Sequence, residues 1–160
     1  LSLSEDRRKT TEQFALVLTE HGMQRMASRV MATFIFTEKP TLTQGEVAEE
    51  LDVSPGSVSG AIRILMSVGL VERVPAAGSR RDHHRLRDDA WTTMFTRQNH
   101  ALEGMMSLAQ EGIETTEPGS NARQRLELMR DFYAYLLDEL PAVIERWKQQ
   151  RAERQASETR

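Results

Sequence analysis

The stretch LTQGEVAEELDVSPGSVSGAIRILMSVGLVERV, Leu42 to Val74, decides the fold. Thr43 is a helix N-cap, and Glu46 three residues on completes a capping box in which each residue satisfies the other's backbone N–H. Val47, Ala48 and Leu51 form the apolar face of that short helix, and DVS is the turn after it, with Val53 pointing inward. Ser54 opens a second helix with Pro55 at its first position, where the missing N–H costs nothing. Val58, Ala61, Ile62, Leu65 and Met66 fall on one stripe, and Gly69 stops the helix. LVERVP then reads as a strand, AAGS as a turn and DHHRLR as a return strand of weaker pattern. A helix-turn-helix followed at once by a hairpin is a winged helix.

On the amino-terminal side, a helix is expected from Ser4, with Glu5 and Asp6 at the positive end of its dipole. It runs to about His21, with Phe14, Val17 and Leu18 on one face and Gly22 as its end. A further helix near Met23 to Thr37 places Met23, Met26, Val30, Phe34 and Ile35 at core spacing, and Pro40 closes it. On the carboxy-terminal side Asp89 caps a long amphipathic helix bearing Trp91, Met94, Phe95, Leu102, Met105, Leu108, Ala109 and Ile113. ETTEPGSN interrupts it. Leu126, Met129, Tyr133, Leu136, Leu137 and Leu140 describe another helix, and Pro141 restarts the chain into AVIERWKQQRAERQ and a polar tail. The expected fold class is mainly α: a winged helix-turn-helix core with a small β-hairpin wing, flanked by N- and C-terminal helices. Residues 1–21 form the N-terminal helix, 22–88 the winged domain, 89–155 the C-terminal helices and 156–160 the tail.

The stripes of the two long C-terminal helices are too large for a winged helix of this size to cover alone. A second copy of the chain is the simplest partner, so 89–155 is read as a dimerisation region. The Met and aromatic residues there also suit an adaptable effector pocket. At this spacing core and dimer seam are the commoner roles, and no effector site is assigned.

Composition narrows the chemistry. The chain has 160 residues, 39% hydrophobic and 28% charged, a size suited to one domain with helical extensions. It has no cysteine, so no disulfide, thiolate metal site or cysteine redox switch. No run of 18 apolar residues occurs, and the first residues lack the apolar core of a secretory signal; a cytoplasmic protein without a membrane partner is expected. Net charge is -3, but between Ser54 and Arg87 six arginines (Arg63, Arg73, Arg80, Arg81, Arg85, Arg87) face only Glu72 and Asp82, which makes +4 and leaves -7 elsewhere. One face suited to a polyanion on an otherwise acidic chain follows.

Double-stranded DNA is the polyanion the pattern fits. A helix entering the major groove must bring its first turn close to phosphates and base edges, where bulky or acidic residues would obstruct it. The outward positions are Gly56, Ser57, Ser59 and Gly60, with Arg63 one turn further on. Serine hydroxyls suit phosphate oxygens or several bases, and Arg63 is the residue expected to read a base edge, guanine O6/N7 most naturally. Arg80 and Arg81, just past the Gly-Ser turn, can follow the backbone or enter the minor groove, with Arg85 supporting the same surface. A plainer reading exists for each feature: capping and turn chemistry for the serines and glycines, and a solvated charged edge for the wing. The helix-turn-helix spacing and the basic hairpin together favour DNA. His83 and His84 point to opposite faces of a strand and so make a poor metal pair. With no nucleophile elbow and no glycine-rich phosphate loop, an enzyme, a metal and a cofactor are not expected.

The segments EVAEEL, SPGSVSGAIRIL, GLVERV and GSRRD resemble the winged-helix core of MarR-type transcriptional regulators, and within them the GbsR-like branch. The resemblance spans about Met23 to Leu86. It implies a homodimeric DNA-binding repressor or activator, of which a repressor is the expected role, whose N- and C-terminal helices pair between subunits; a dimer in turn predicts a near-palindromic operator. Many members bind a small effector between the dimer helices and the DNA-binding lobes, so a small-molecule effector is an implied partner. Carried over by position, the recognition residues are Ser54, Gly56, Ser57, Ser59, Gly60 and Arg63, with Arg80 and Arg81 on the wing. Thr43 and Gln44 match positions that touch phosphate. The competing expectation is a winged-helix protein-interaction module that never meets DNA, which would not need the basic recognition helix and wing.

Overall fold

The computed structural model describes residues 3–158. The chain forms two compact units that divide between Thr93 and Met94. The first contains α1 (Leu3–Glu20), α2 (Arg25–Phe36), β1 (Leu42–Thr43), α3 (Gln44–Leu51), α4 (Pro55–Ser67), β2 (Val71–Val74) and β3 (His83–Leu86). The long helix α5 (Ala90–Glu114) begins at its end, and the second unit is the rest of α5 followed by α6 (Asn121–Glu158). Helices dominate, with one small antiparallel sheet in the order β1-β3-β2, the winged-helix architecture expected.

In the first unit α2 is the central helix, packed by α1, α3, α4 and β3. Its Ala27, Val30, Met31, Ala32 and Phe34 are buried, and meet a core to which α3 gives Val47, Ala48 and Leu51. From α4 come Val58, Ala61, Ile62 and Leu65, and from the sheet region Leu42, Leu70 and Val71. Each of the Val, Leu, Ile, Met and Phe side chains contributes about 1.5–3 kcal/mol on burial, so this cluster holds the helix-turn-helix in place. The two polar residues buried on α2 are satisfied locally: Thr33 Oγ1 donates to the Arg29 carbonyl (3.0 Å) and Ser28 Oγ to the Gln24 carbonyl (3.1 Å).

Several boundaries differ from expectation. The expected start at Ser4 lies inside α1, which begins at Leu3. Val17, expected to face inward, is 50% exposed, while Ala15 and Leu18 are buried. Helical spacing explains this, because Leu18 stacks one turn beyond Ala15 and Val17 lies about 100° away from Leu18. The helix from Met23 is two residues shorter at its start, because Gln24 is the N-cap, its Oε1 accepting from Ala27 N (2.7 Å). Strand β1 was unexpected: two residues show no alternation, and only the pairings Leu42↔His84 and Thr43↔His83 make them a strand.

In the second unit α5 and α6 pack tightly near their connection. A Cβ at Gly112 would lie 2.9 Å from Leu126 Cδ1, and Ala109 and Ile113 are buried there. Arg123 Nη1 donates to the Ile113 carbonyl (3.1 Å), placing a cation on the negative end of α5. The break expected at Pro141 does not occur, and α6 continues through it to Glu158, across part of the segment read as tail. Proline removes only the bond that residue 141 would give to the Leu137 carbonyl, and the turns on either side keep theirs. No residue described on α6 is buried, although Leu128, Phe132, Tyr135, Val143 and Trp147 are large and apolar.

Candidate nucleic-acid interface

The interface begins with the two caps that set the helix-turn-helix. Thr43 Oγ1 accepts from Glu46 N (3.3 Å), and Glu46 Oε2 accepts from Thr43 N (2.8 Å), so the capping box forms as expected. The Lys39 ammonium, 2.7 Å from Glu46 Oε1, together with the Thr43 backbone N–H, holds the Glu46 carboxyl down at about 2. Thr43, expected to touch phosphate, is only 6% exposed and its hydroxyl also donates to Glu46 (3.0 Å), so its hydroxyl and backbone N–H are both engaged in the cap.

Asp52 makes the turn with φ +52, a left-handed conformation that short polar side chains tolerate. Ser54 then caps α4, its Oγ accepting from Ser57 N (3.3 Å) and paired with the Ser57 hydroxyl (2.9 Å). Gln44 Nε2 donates to the Pro55 carbonyl (2.7 Å) and fastens the start of α3 to the first turn of α4. That bond engages Gln44 within the protein and gives it a positioning role alongside its place at the surface.

Along α4, Ser54, Gly56, Ser57 and Arg63 are exposed, and Ser59 and Gly60 are half-buried. A Cβ added at Gly56 or Gly60 would meet no atom within 4 Å, so neither glycine is required by packing inside the chain. Glycine within a helix costs about 0.5–1 kcal/mol relative to alanine, which leaves both residues without an internal justification.

In the wing, β2 and β3 pair as Val71↔Leu86, Glu72↔Arg85, Arg73↔His84 and Val74↔His83. The register joins charges across the stem. Arg85 Nε lies 2.7 Å from Glu72 Oε1, Arg73 3.1 Å from Asp82, and Arg87 2.8 Å from Asp89 and 3.8 Å from Glu72. Exposed pairs of this kind add little stability, but each cancels its own field. Arg85, expected to support the DNA-facing surface, is thus held on the stem by Glu72. Among the described residues, Arg63, Arg80 and Arg81 make no ion pair, and Arg80 and Arg81 stand exposed past the turn at Gly78 (φ +77).

His83 and His84 take opposite faces, as their adjacency requires. His83 lies between two hydroxyls, Nδ1 3.0 Å from Thr41 Oγ1 and Nε2 3.1 Å from Ser79 Oγ. His84 is buried, its Nδ1 has no partner, and burial pushes its pKa below the ordinary value. Among the described residues no three His, Asp or Glu side chains gather as metal ligands. Sequence reasoning missed the Gln44 bond and the His83 bridge, for which periodicity carries no signal.

Helix-turn-helix, paired stem and free arginine tip define a winged-helix protein. Residues 21–82 match the MarR family model, and residues 89–151 match the model described as MmpR5-like MarR family transcriptional regulator. The two spans lie side by side along the chain, so both of its parts are similar to transcriptional regulators of the MarR family. It is 27% identical over 143 residues to the HTH-type transcriptional regulator MmpR5 of Mycobacterium tuberculosis, covering 89% of this chain and 87% of that protein. A crystal structure described as a transcriptional regulator is also 27% identical, with a TM-score of 0.70, covering 90% of this chain and 99% of the other.

Proposed function

We propose that the chain binds double-stranded DNA as a homodimer on a near-palindromic operator and acts as a repressor. Helix α4 enters the major groove. The open surface at Gly56 and Gly60 carries this reading, because it leaves room for a phosphate or base edge that nothing in the chain itself occupies. Ser54, Ser57 and Ser59 offer hydroxyls to phosphate or bases, and Arg63 reads a base edge. Arg80 and Arg81 extend the wing to the neighbouring backbone or minor groove. Thr43 and Gln44 hold the frame, with Gln44 near enough to the α4 start to meet a phosphate as well.

The homodimer is supported by the bare apolar side chains of α6 together with Leu16 and Val17 of α1. A dimer sets two recognition helices about 34–36 Å apart, one turn of DNA. Control by a small effector fits the same helices and rests on the family alone. For the finer branch, the motifs of the winged core resemble GbsR-like members, whereas residues 89–151 match the MmpR5-like model.

Fluorescence anisotropy of a labelled duplex against wild type and Arg63→Ala, at two salt concentrations, tests the reading. Binding that weakens with salt, and a base preference that relaxes in the variant by about 1–3 kcal/mol at one position, are expected. No binding at either salt would favour the protein-interaction alternative.

A further inference from the structure

We propose that His83 is the positioning residue of the wing, holding the arginine tip at a fixed angle to the body of the domain. It sits on β3 at the base of the turn, and its ring spans from Thr41, just before β1, to Ser79, inside the wing turn. The turn has few other ties. Ser79 N donates to the Ala76 carbonyl (3.2 Å), Ser79 Oγ accepts from Arg81 N (3.1 Å), and Arg73 pairs with Asp82. The first two are internal to the turn, and the third joins it only to its own stem. Among the described residues, the Thr41–His83–Ser79 bridge is the hydrogen-bonded tie that reaches from the turn to the segment leading into α3. Hydroxyls accept as readily as they donate, so the bridge forms with either tautomer of the ring.

Ser79 also caps the backbone N–H of Arg81, so fixing Ser79 fixes where the arginine pair begins. A loose tip would have to be ordered on binding, at an entropic cost that a preorganised one avoids. The inference deepens the reading of the wing as a DNA-contacting arm and rests on it.

Two variants each cut the bridge and leave the arginines in place. His83→Phe keeps an aromatic ring on the strand, and Thr41→Val keeps the shape of the other anchor. The first readout is the heteronuclear NOE of the Ser79, Arg80 and Arg81 amides in the free protein. The second is the salt slope of duplex binding, measured in the wild type and in an Arg80→Ala, Arg81→Ala background, with thermal melting to verify folding. Both variants are expected to lower the NOE at the tip and to reduce the slope by up to about two. In the arginine-free background neither should weaken binding further. An unchanged NOE, or an equal loss of affinity with and without the arginines, would overturn the proposal. A loosened tip with a slope that responds neither to these variants nor to loss of the arginines would keep the brace and overturn the DNA role of the wing.

Discussion

Arg63 and the two glycines before it carry the argument at the scale of single residues, because nothing inside the chain explains them. A Cβ at Gly60 meets open space, so Gly60→Ala should raise the unfolding free energy by about 0.5–1 kcal/mol in urea titration while weakening DNA binding. A variant that is more stable and binds equally well would remove the steric part of the account. Thr43 is the contrasting case. Thr43→Ala removes the cap and should cost about 0.5–2 kcal/mol in the same titration. His84 gives a pH dependence whose sign follows from burial. Its pKa lies below 6.5, so the folded state favours the neutral ring. The contribution is complete above pH 6.5 and is lost as pH falls through the folded value. Melting temperature should fall on acidification in the wild type and less so in His84→Phe. The caps at Thr43 and Ser54 were legible in sequence because each is read within four residues. The partners of Gln44, eleven residues away, and of His83, forty-two away, depend on how the chain folds back.

Among the elements, the wing divides into a neutral stem and a charged tip. The sequence supplies six arginines between Ser54 and Arg87, but the strand register decides which of them remain free. Glu72 opposite Arg85, and Asp82 beside Arg73, take up two of the stem charges. Arg80→Ala with Arg81→Ala should therefore reduce the salt slope of DNA binding by up to about two, whereas Arg85→Ala should leave it unchanged. Equal losses from both would mean that the stem also lies against phosphate. Amphipathic periodicity revealed α1 to α4 because each buries one face against a neighbour, and the hairpin followed from its turn and β-branched run. It could not reveal β1, whose two residues are a strand only through β3, nor the passage of α6 through Pro141.

For the whole molecule, the apolar residues of α6 carry the proposed association. Leu128 is 74% exposed and Phe132 56% exposed on a helix that buries no residue within the chain. Leu128→Asp with Phe132→Asp should shift the protein toward monomer in sedimentation equilibrium and weaken operator binding, leaving the winged domain folded. A dimer that survives the change would move the seam to other residues. The same association sets the spacing of the two α4 helices, so operator symmetry and oligomeric state are one claim. Selection of bound sequences from a randomised duplex pool, by the wild-type protein at two salt concentrations, tests that claim most directly. A near-palindromic motif whose half-sites lie one helical turn apart is expected. Salt-sensitive binding with no enriched motif would contradict sequence-specific recognition by α4, and an enriched single half-site would contradict the dimer.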